Sequence, residues 1–327
     1  MNNNLIDIKE NYIYKLDKDL LKILLMDRTT GKNIIWGTDN YSDRGYGYRR
    51  NDHITVESVT GYHGNVVKPR SEKSKKEQTK RIREKAEVFT PSWICNKQNN
   101  LVDNVWFGTD FVFNEETDKT WKATIEPIAF PTATGKNWQD YINDVRLEIT
   151  CGEAPYLVSR YDTVSGEIID LPQRIGLLDR KLRVVGENVD NRDEWIKWAK
   201  KSYQNIYGYE WQGDNVLLAR ENLLFTFIDY YKAKFNSNPQ INILHDIAKI
   251  VSWNIWQMDG LKFVIPDSCI PIKDSQLSLF DTDECKEVQT CPGCKKNDPY
   301  LHTGQYCIIK DWKKNKKVSF VSILKKG

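Results

Sequence analysis

Long apolar runs are absent from this chain. No stretch approaches the roughly 18 residues that a bilayer-spanning helix needs. The opening segment, MNNNLIDIKENYIYK, has no basic patch followed by an apolar core, so no signal peptide is expected. Cysteine is sparse and odd in number, seven in 327 residues, which argues against a disulfide framework. Together these absences predict a cytoplasmic protein. There is no P-loop to cradle phosphates, and no acid-plus-E-x-K cluster of a restriction nuclease. Of the four histidines, His53, His63 and His245 stand apart from any nucleophile, which leaves hydrolytic triads without support.

What is present is unevenly distributed. The net charge is only +3, yet Lys68 to Lys85 holds nine basic and three acidic residues, and Lys310 to Lys326 adds seven basic ones. Such runs suit phosphate contact, although interspersed glutamates equally suit a solvated helix face. Residues 1–67 mix a helical pattern over Asp19–Met26 with strand-like pieces over Asn33–Trp36 and His53–Val56, punctuated by glycines. They are expected to form a small accessory domain, with 68–85 a basic connector. Over residues 86–266 short apolar runs alternate with long helical segments, the pattern of a parallel sheet covered by helices. Helices are predicted over about Asp214–Phe235 and Ile241–Ser252. Residues 267–327 read as loop-rich, ending in a basic strand.

Four segments carry chemistry. In Glu87-Val-Phe-Thr-Pro-Ser-Trp-Ile94, Pro91 suits a helix start and Thr90 its cap. In Val145-Arg-Leu-Glu-Ile-Thr-Cys-Gly-Glu-Ala-Pro-Tyr-Leu157, a strand ends in a turn of small residues. Gly152 there permits close approach of a ligand, and amides opening the next helix would face it. In Ile206-Tyr-Gly-Tyr-Glu-Trp-Gln-Gly-Asp214, a strand ends at Glu210. A carboxylate at that tip accepts both hydroxyl protons of a ribose, while Asp214 is placed to cap the long helix. In Trp253-Asn-Ile-Trp-Gln-Met-Asp-Gly-Leu261, Asp259 fits a strand-ending turn where a carboxylate accepts from an exocyclic amine.

In this order the segments resemble the adenine-N6 DNA methyltransferase subunits of bacterial restriction–modification systems, over about residues 86–265. Those enzymes show a Thr-Pro segment, a D-P-A-C-G-S-G turn, a ribose-binding acid and a D-x-L turn. The resemblance implies a Rossmann-like α/β fold and S-adenosylmethionine as cofactor. It implies that Phe89, Thr90 and Pro91 meet the methionine portion and Glu148 its amino group. Thr150, Cys151 and Gly152 would line it, Glu210 with Trp211 would hold the ribose, and Asp259 would read the adenine. DNA is the implied substrate, with a recognition or nuclease subunit as a further partner.

The chain departs from the family in three ways. Ala154 stands where the turn's last glycine falls. About sixty residues, including Ile175-Gly-Leu-Leu-Asp-Arg180, separate Gly152 from Glu210. The Asn/Asp-Pro-Pro-Tyr/Phe tetrad, which holds the target amine and stacks on the flipped base, has only Asn297-Asp-Pro-Tyr300 as its nearest match. Asn297, Pro299 and Tyr300 are therefore the candidate catalytic residues, against a plain polar turn. The same region offers zinc ligands, Cys291, Cys294, His302 and Cys307 in C-x2-C-x7-H-x4-C spacing, with Cys285 in reserve. A metal loop there competes with a catalytic tetrad. Three functions stay open: an active methyltransferase, an inactive cofactor- or DNA-binding subunit of a restriction or defence complex, and a zinc-bearing nucleic-acid-binding protein.

Overall fold

In a computed structural model, which describes residues 9–271 and 290–324, the chain opens with two short helices, α1 (Glu10–Leu16) and α2 (Lys18–Leu25). Asp17 caps α2 by accepting from the Asp19 and Leu20 amides, as short acidic side chains do. The expected strands over Asn33–Trp36 and His53–Val56 yield only isolated bridges, Met26 with Asn33 and Ile35 with His53. Val56 instead starts helix α3 (Val56–Val59), followed by α4 (Lys75–Lys85) and α5 (Ser92–Phe107). A small hairpin, β1 (Asn114–Thr117) and β2 (Thr120–Ala123), leads to α6 (Trp138–Asn143).

The framework is mixed α/β, built on a parallel sheet of three strands. These are β3 (Arg146–Glu148), β4 (Ile206–Glu210) and β5 (Ile255–Gln257), with β4 in the middle. Helices α7 (Leu177–Asn188) and α8 (Arg192–Gln204) fill the long insertion between β3 and β4. Helices α9 (Gly213–Phe235) and α10 (Ile241–Asn254) connect β4 to β5, close to the predicted bounds. Every residue of α9 from Gly213 to Ile228 is buried, so this is a core helix rather than an amphipathic surface one.

Burying polar residues on such a helix requires partners for them. Arg220 donates to the carbonyls of Ile255 (2.8 Å), Met26 (3.0 Å) and Ser252 (3.3 Å), tying α9 to β5, to the amino-terminal segment and to α10. At the start of α9, a Cβ on Gly213 would lie 1.9 Å from the Ile35 carbonyl, so only glycine lets the two segments meet. One apolar core runs from Ile13 to Ile255, and it does not break near residue 67. The basic stretch presents a solvated face, with Lys68, Lys75, Lys76, Lys80 and Arg83 exposed, but two of its cations, Lys73 and Arg81, turn inward. Arg81 is buried, bonded to Asp214 at 2.6 Å and Glu87 at 3.1 Å.

The carboxyl-terminal part holds α11 (Pro292–Lys296), an antiparallel pair β6 (Ile308–Asp311) and β7 (Lys316–Ser319), and α12 (Val321–Leu324). The anticipated basic strand is thus half of a hairpin. It covers one face of β4 and β5 through a small cluster of Tyr209, Trp256, Cys307 and Phe320. No helix among the described residues is long and apolar enough to cross a membrane.

Candidate functional site

The carboxyl ends of the three parallel strands open onto one cavity of roughly 1220 Å³, the place where α/β sheets bind ligands. Phe89, Thr90, Glu148, Thr150, Cys151, Gly152, Glu210, Trp211 and Asp259 all line it. Pro91 does not; it is the N-cap residue of α5.

Beyond β3 the chain turns through Thr150 (φ 47°), Gly152 (φ 53°) and Ala154 (φ 64°). All three are left-handed, a conformation that costs glycine nothing. For β-branched Thr150 it stores strain of about 1–3 kcal/mol. Ala154 thus keeps the backbone of the glycine it replaces. A Cβ on Gly152 would sit 3.4 Å from the Phe89 ring, so a side chain at this position would rest against that ring. The helix expected right after this turn is absent. A single turn at 154–158 stands there, and α7 begins only at Leu177. The amides of Tyr156 and Leu157 point inward, donating to Glu148 at 3.4 and 3.2 Å.

Glu210 ends β4 and accepts from the Gly152 amide and the Gln212 amide, each at 3.0 Å. This bond joins the tips of β3 and β4. Both Glu148 and Glu210 are 8% exposed. Burial raises Glu210 to about 7. Burial, with the charge of Glu210 adding to it, pushes Glu148 well above the usual carboxylate range. Two other acids line the cavity with cations beside them, Glu87 with Arg81 (3.1 Å) and Asp259 with Lys262 (3.6 Å). Among the described residues no cation pairs with Glu148 or Glu210. The cavity is therefore complementary to a ligand bearing positive charge and hydroxyl donors.

Asp259 is first a turn residue. Its Oδ1 accepts from the Leu261 (3.0 Å) and Lys262 (3.1 Å) amides. Two predicted caps are corrected. Thr90 does not cap α5; the Ser92 amide donates to Asp162 at 2.6 Å, and Asp162 lies seventy residues away in sequence. Asp214 does not cap α9, whose N-cap is Gln212. Its carboxylate takes Tyr41 (2.7 Å) and Arg81 (2.6 Å) instead. Burial alone would raise Asp214, but Arg81 and Lys73 outweigh it and hold it below the usual range.

Sequence reasoning missed the amino-terminal wall of the cavity, formed by Gly37, Thr38 and Arg50. Trp211 Nε1 donates to the Gly37 carbonyl at 2.8 Å. The Gln257 side chain bonds both backbone groups of Ile35, at 2.9 and 2.8 Å, as a neighbouring strand would. The one visible signal was glycine at position 37, where a Cβ would strike the Trp211 carbonyl at 2.7 Å.

A second constellation lies in the carboxyl-terminal part. The sulfurs of Cys269, Cys291 and Cys294 stand 3.6, 3.6 and 3.7 Å from His302 Nδ1, and the four ligand atoms lie within 4.8 Å of one another. A tetrahedral ion with bonds of about 2.3 Å to sulfur and about 2.05 Å to nitrogen has a sulfur–nitrogen edge of about 3.6 Å. The Thr303 amide donates to Cys291 at 3.2 Å, supporting a thiolate ligand. Cys307 is excluded from this set. It is fully buried and donates to the Gln257 carbonyl at 3.4 Å, while Cys269 takes the fourth position. Cys285 lies outside the described residues.

Asn297, Pro299 and Tyr300 belong to the same cysteine loop and do not line the cavity. Asn297 ends α11 in a left-handed conformation (φ 52°). Pro299 accepts from Tyr306 at 2.8 Å, and the Tyr300 amide donates to Asp298 at 2.8 Å. No protein-family model, no curated protein and no solved structure matches this chain.

Proposed function

We propose that the cavity binds S-adenosylmethionine and that the chain is the cofactor-binding subunit of an adenine-N6 DNA-modifying system. The observation that carries this reading is the 3.0 Å bond from the Gly152 amide to Glu210. It unites a glycine turn and a strand-end carboxylate, on adjacent parallel strands, at one cavity. The parallel sheet with helical connections supports a Rossmann-like methyltransferase architecture. The unpaired acids, raised by burial, are groups that a ligand with an ammonium group and a sulfonium centre would hold ionised.

In this reading Glu148 meets the ammonium and Glu210 accepts from both ribose hydroxyls. Phe89 packs on the methionine portion, and Asp259 holds the turn beside the adenine. The cofactor supplies an electrophilic methyl group, and the chain contributes orientation and exclusion of water. The position of Asn297, Pro299 and Tyr300 outside the cavity favours a subunit over a self-sufficient enzyme. The groups that hold the target amine then come from another polypeptide. We also assign zinc to Cys269, Cys291, Cys294 and His302, where it clamps the 291–302 loop to Cys269 as a structural ion.

Ultraviolet crosslinking of methyl-tritiated S-adenosylmethionine tests the reading. Label is expected on peptides spanning 86–95 or 148–157, displaced by S-adenosylhomocysteine. Label spread over the surface, or none, overturns it.

A further inference from the structure

The amino-terminal segment packs against the start of α9, where the Gly213 amide donates to the Trp36 carbonyl at 3.1 Å. Two residues further along each segment stand Thr38 and Asn215, and both line the cavity. They are 3 and 1% exposed. Neither Thr38 Oγ1 nor Asn215 Oδ1 has a hydrogen-bond partner among the described residues, and the Asn215 amide nitrogen makes no hydrogen bond among them either. A buried polar oxygen without a partner destabilises a fold, and native interiors seldom hold one unless a bound molecule completes it.

The polar side chains around these two are paired. Gln212 accepts from Asn40 at 3.1 Å and donates to Glu87 at 2.6 Å. Arg50 reaches Asp267 at 2.6 Å, and Asp259 accepts two amides and faces Lys262. What stays open is neutral. The carboxamide offers one acceptor beside one donor, and the hydroxyl serves as either. Such a pair matches an edge that presents an N–H next to a ring nitrogen, as a carboxamide meets adenine at N6 and N7. Asn215 also stands in the first turn of the helix that follows Glu210, which sets a base-reading group beside a sugar-holding one in the same cavity. At roughly 1220 Å³ that cavity exceeds the about 300–1,000 Å³ of a site for one small ligand, so a second base also fits.

We infer that Asn215 and Thr38 are the base-reading residues of the cavity and take the amino edge of an adenine. Asn215 Oδ1 accepts from the exocyclic amine and Nδ2 donates to the adjacent ring nitrogen. The Thr38 hydroxyl accepts the second proton of the amine. The adenine has two sources, the base of the cofactor and the base of a methyl acceptor. That it belongs to either rests on the function proposed above; recognition of a purine amino edge rests on Asn215, Thr38 and the neighbouring Glu210.

The test titrates the full chain with adenosine and with purine riboside, which lacks the exocyclic amine. Wild type is expected to bind adenosine at least tenfold more tightly. Asn215→Leu and Thr38→Val, each close in size to the residue it replaces, are expected to weaken adenosine at least fivefold and to shrink that preference. Their urea midpoints are expected at or above wild type, because an unpartnered polar group has gone; should one variant not fold, the other carries the test. A wild type that binds neither nucleoside, or both equally, overturns the inference. So do variants that keep the affinity and the preference, whatever their stability. Adenosine displaced one for one by S-adenosylmethionine assigns the base to the cofactor. Adenosine that binds beside saturating S-adenosylmethionine, still through Asn215, assigns it to the methyl acceptor. An Asn215-dependent adenosine preference in a protein that rejects S-adenosylmethionine sinks the functional reading and leaves the base site standing. S-adenosylmethionine binding by a wild type that shows no adenosine preference does the reverse.

Discussion

Replacing Glu210 with glutamine keeps the size of the side chain and removes its capacity to accept at both oxygens. Each oxygen already accepts a backbone amide, from Gly152 and Gln212, at 3.0 Å. The glutamine must set an N–H against one of those donors, at a cost of about 1–3 kcal/mol. Hydrogen bonds to a charged acceptor contribute about 1.5–3 kcal/mol, against about 1 for a neutral one. Losing that difference at two ribose hydroxyls weakens cofactor binding by about 1–4 kcal/mol, between about fivefold and nearly a thousandfold. The proton balance gives a second readout. Burial raises Glu210 from 4.5 to about 7, so the folded protein holds this proton longer than the unfolded chain. The stability it contributes is complete below pH 4.5 and is lost as pH rises to 7, a change of about 3 kcal/mol. Glutamine has no proton to lose, so the variant's urea midpoint should vary less between pH 4.5 and 7. Wild-type cofactor binding should tighten up to about pH 7 with release of a proton. Calorimetry in two buffers of different ionisation enthalpy measures that release, and Glu148 contributes to both proteins, so the difference reports Glu210. A variant with wild-type affinity and wild-type proton release refutes the reasoning.

Three further outcomes are expected. Asp162→Ala removes the acceptor for the Ser92 amide and should destabilise the fold by about 1–2 kcal/mol in urea unfolding; no change would mean that α5 is capped otherwise. Arg81→Met leaves Asp214 and Glu87 buried without their guanidinium and should cost about 3–5 kcal/mol, measured the same way. Elemental analysis should find one zinc per chain, lost in Cys269→Ser and kept in Cys307→Ser; the reverse pattern would restore the spacing-based ligand set.

The sequence is informative where one local rule governs. Helices α9 and α10 follow from periodicity and from the Asn236-Ser-Asn-Pro239 stop, and their observed bounds differ by two residues at most. The cavity-facing segments were legible because strand-end turns carry their chemistry within a few residues. Long-range partners were not legible. Asp162 caps a helix seventy residues away, Gln257 imitates a strand for Ile35, and Arg81 reaches Asp214 from what read as a basic connector. Cys269 was missed because C-x2-C spacing marks a half-site and says nothing about which distant cysteine completes it. The amino-terminal segment read as separate because glycine-rich turns resemble linkers until a core is seen to run through them.

The most direct measurement is calorimetric titration of the purified chain with S-adenosylmethionine. At about 0.3 kcal/mol for each of its roughly 27 heavy atoms, the ligand should bind near micromolar. One site per chain is expected, competed by S-adenosylhomocysteine and weakened in Glu210→Gln. A folded, zinc-loaded protein that gives no binding heat at millimolar cofactor, at two temperatures, contradicts the assignment of the cavity.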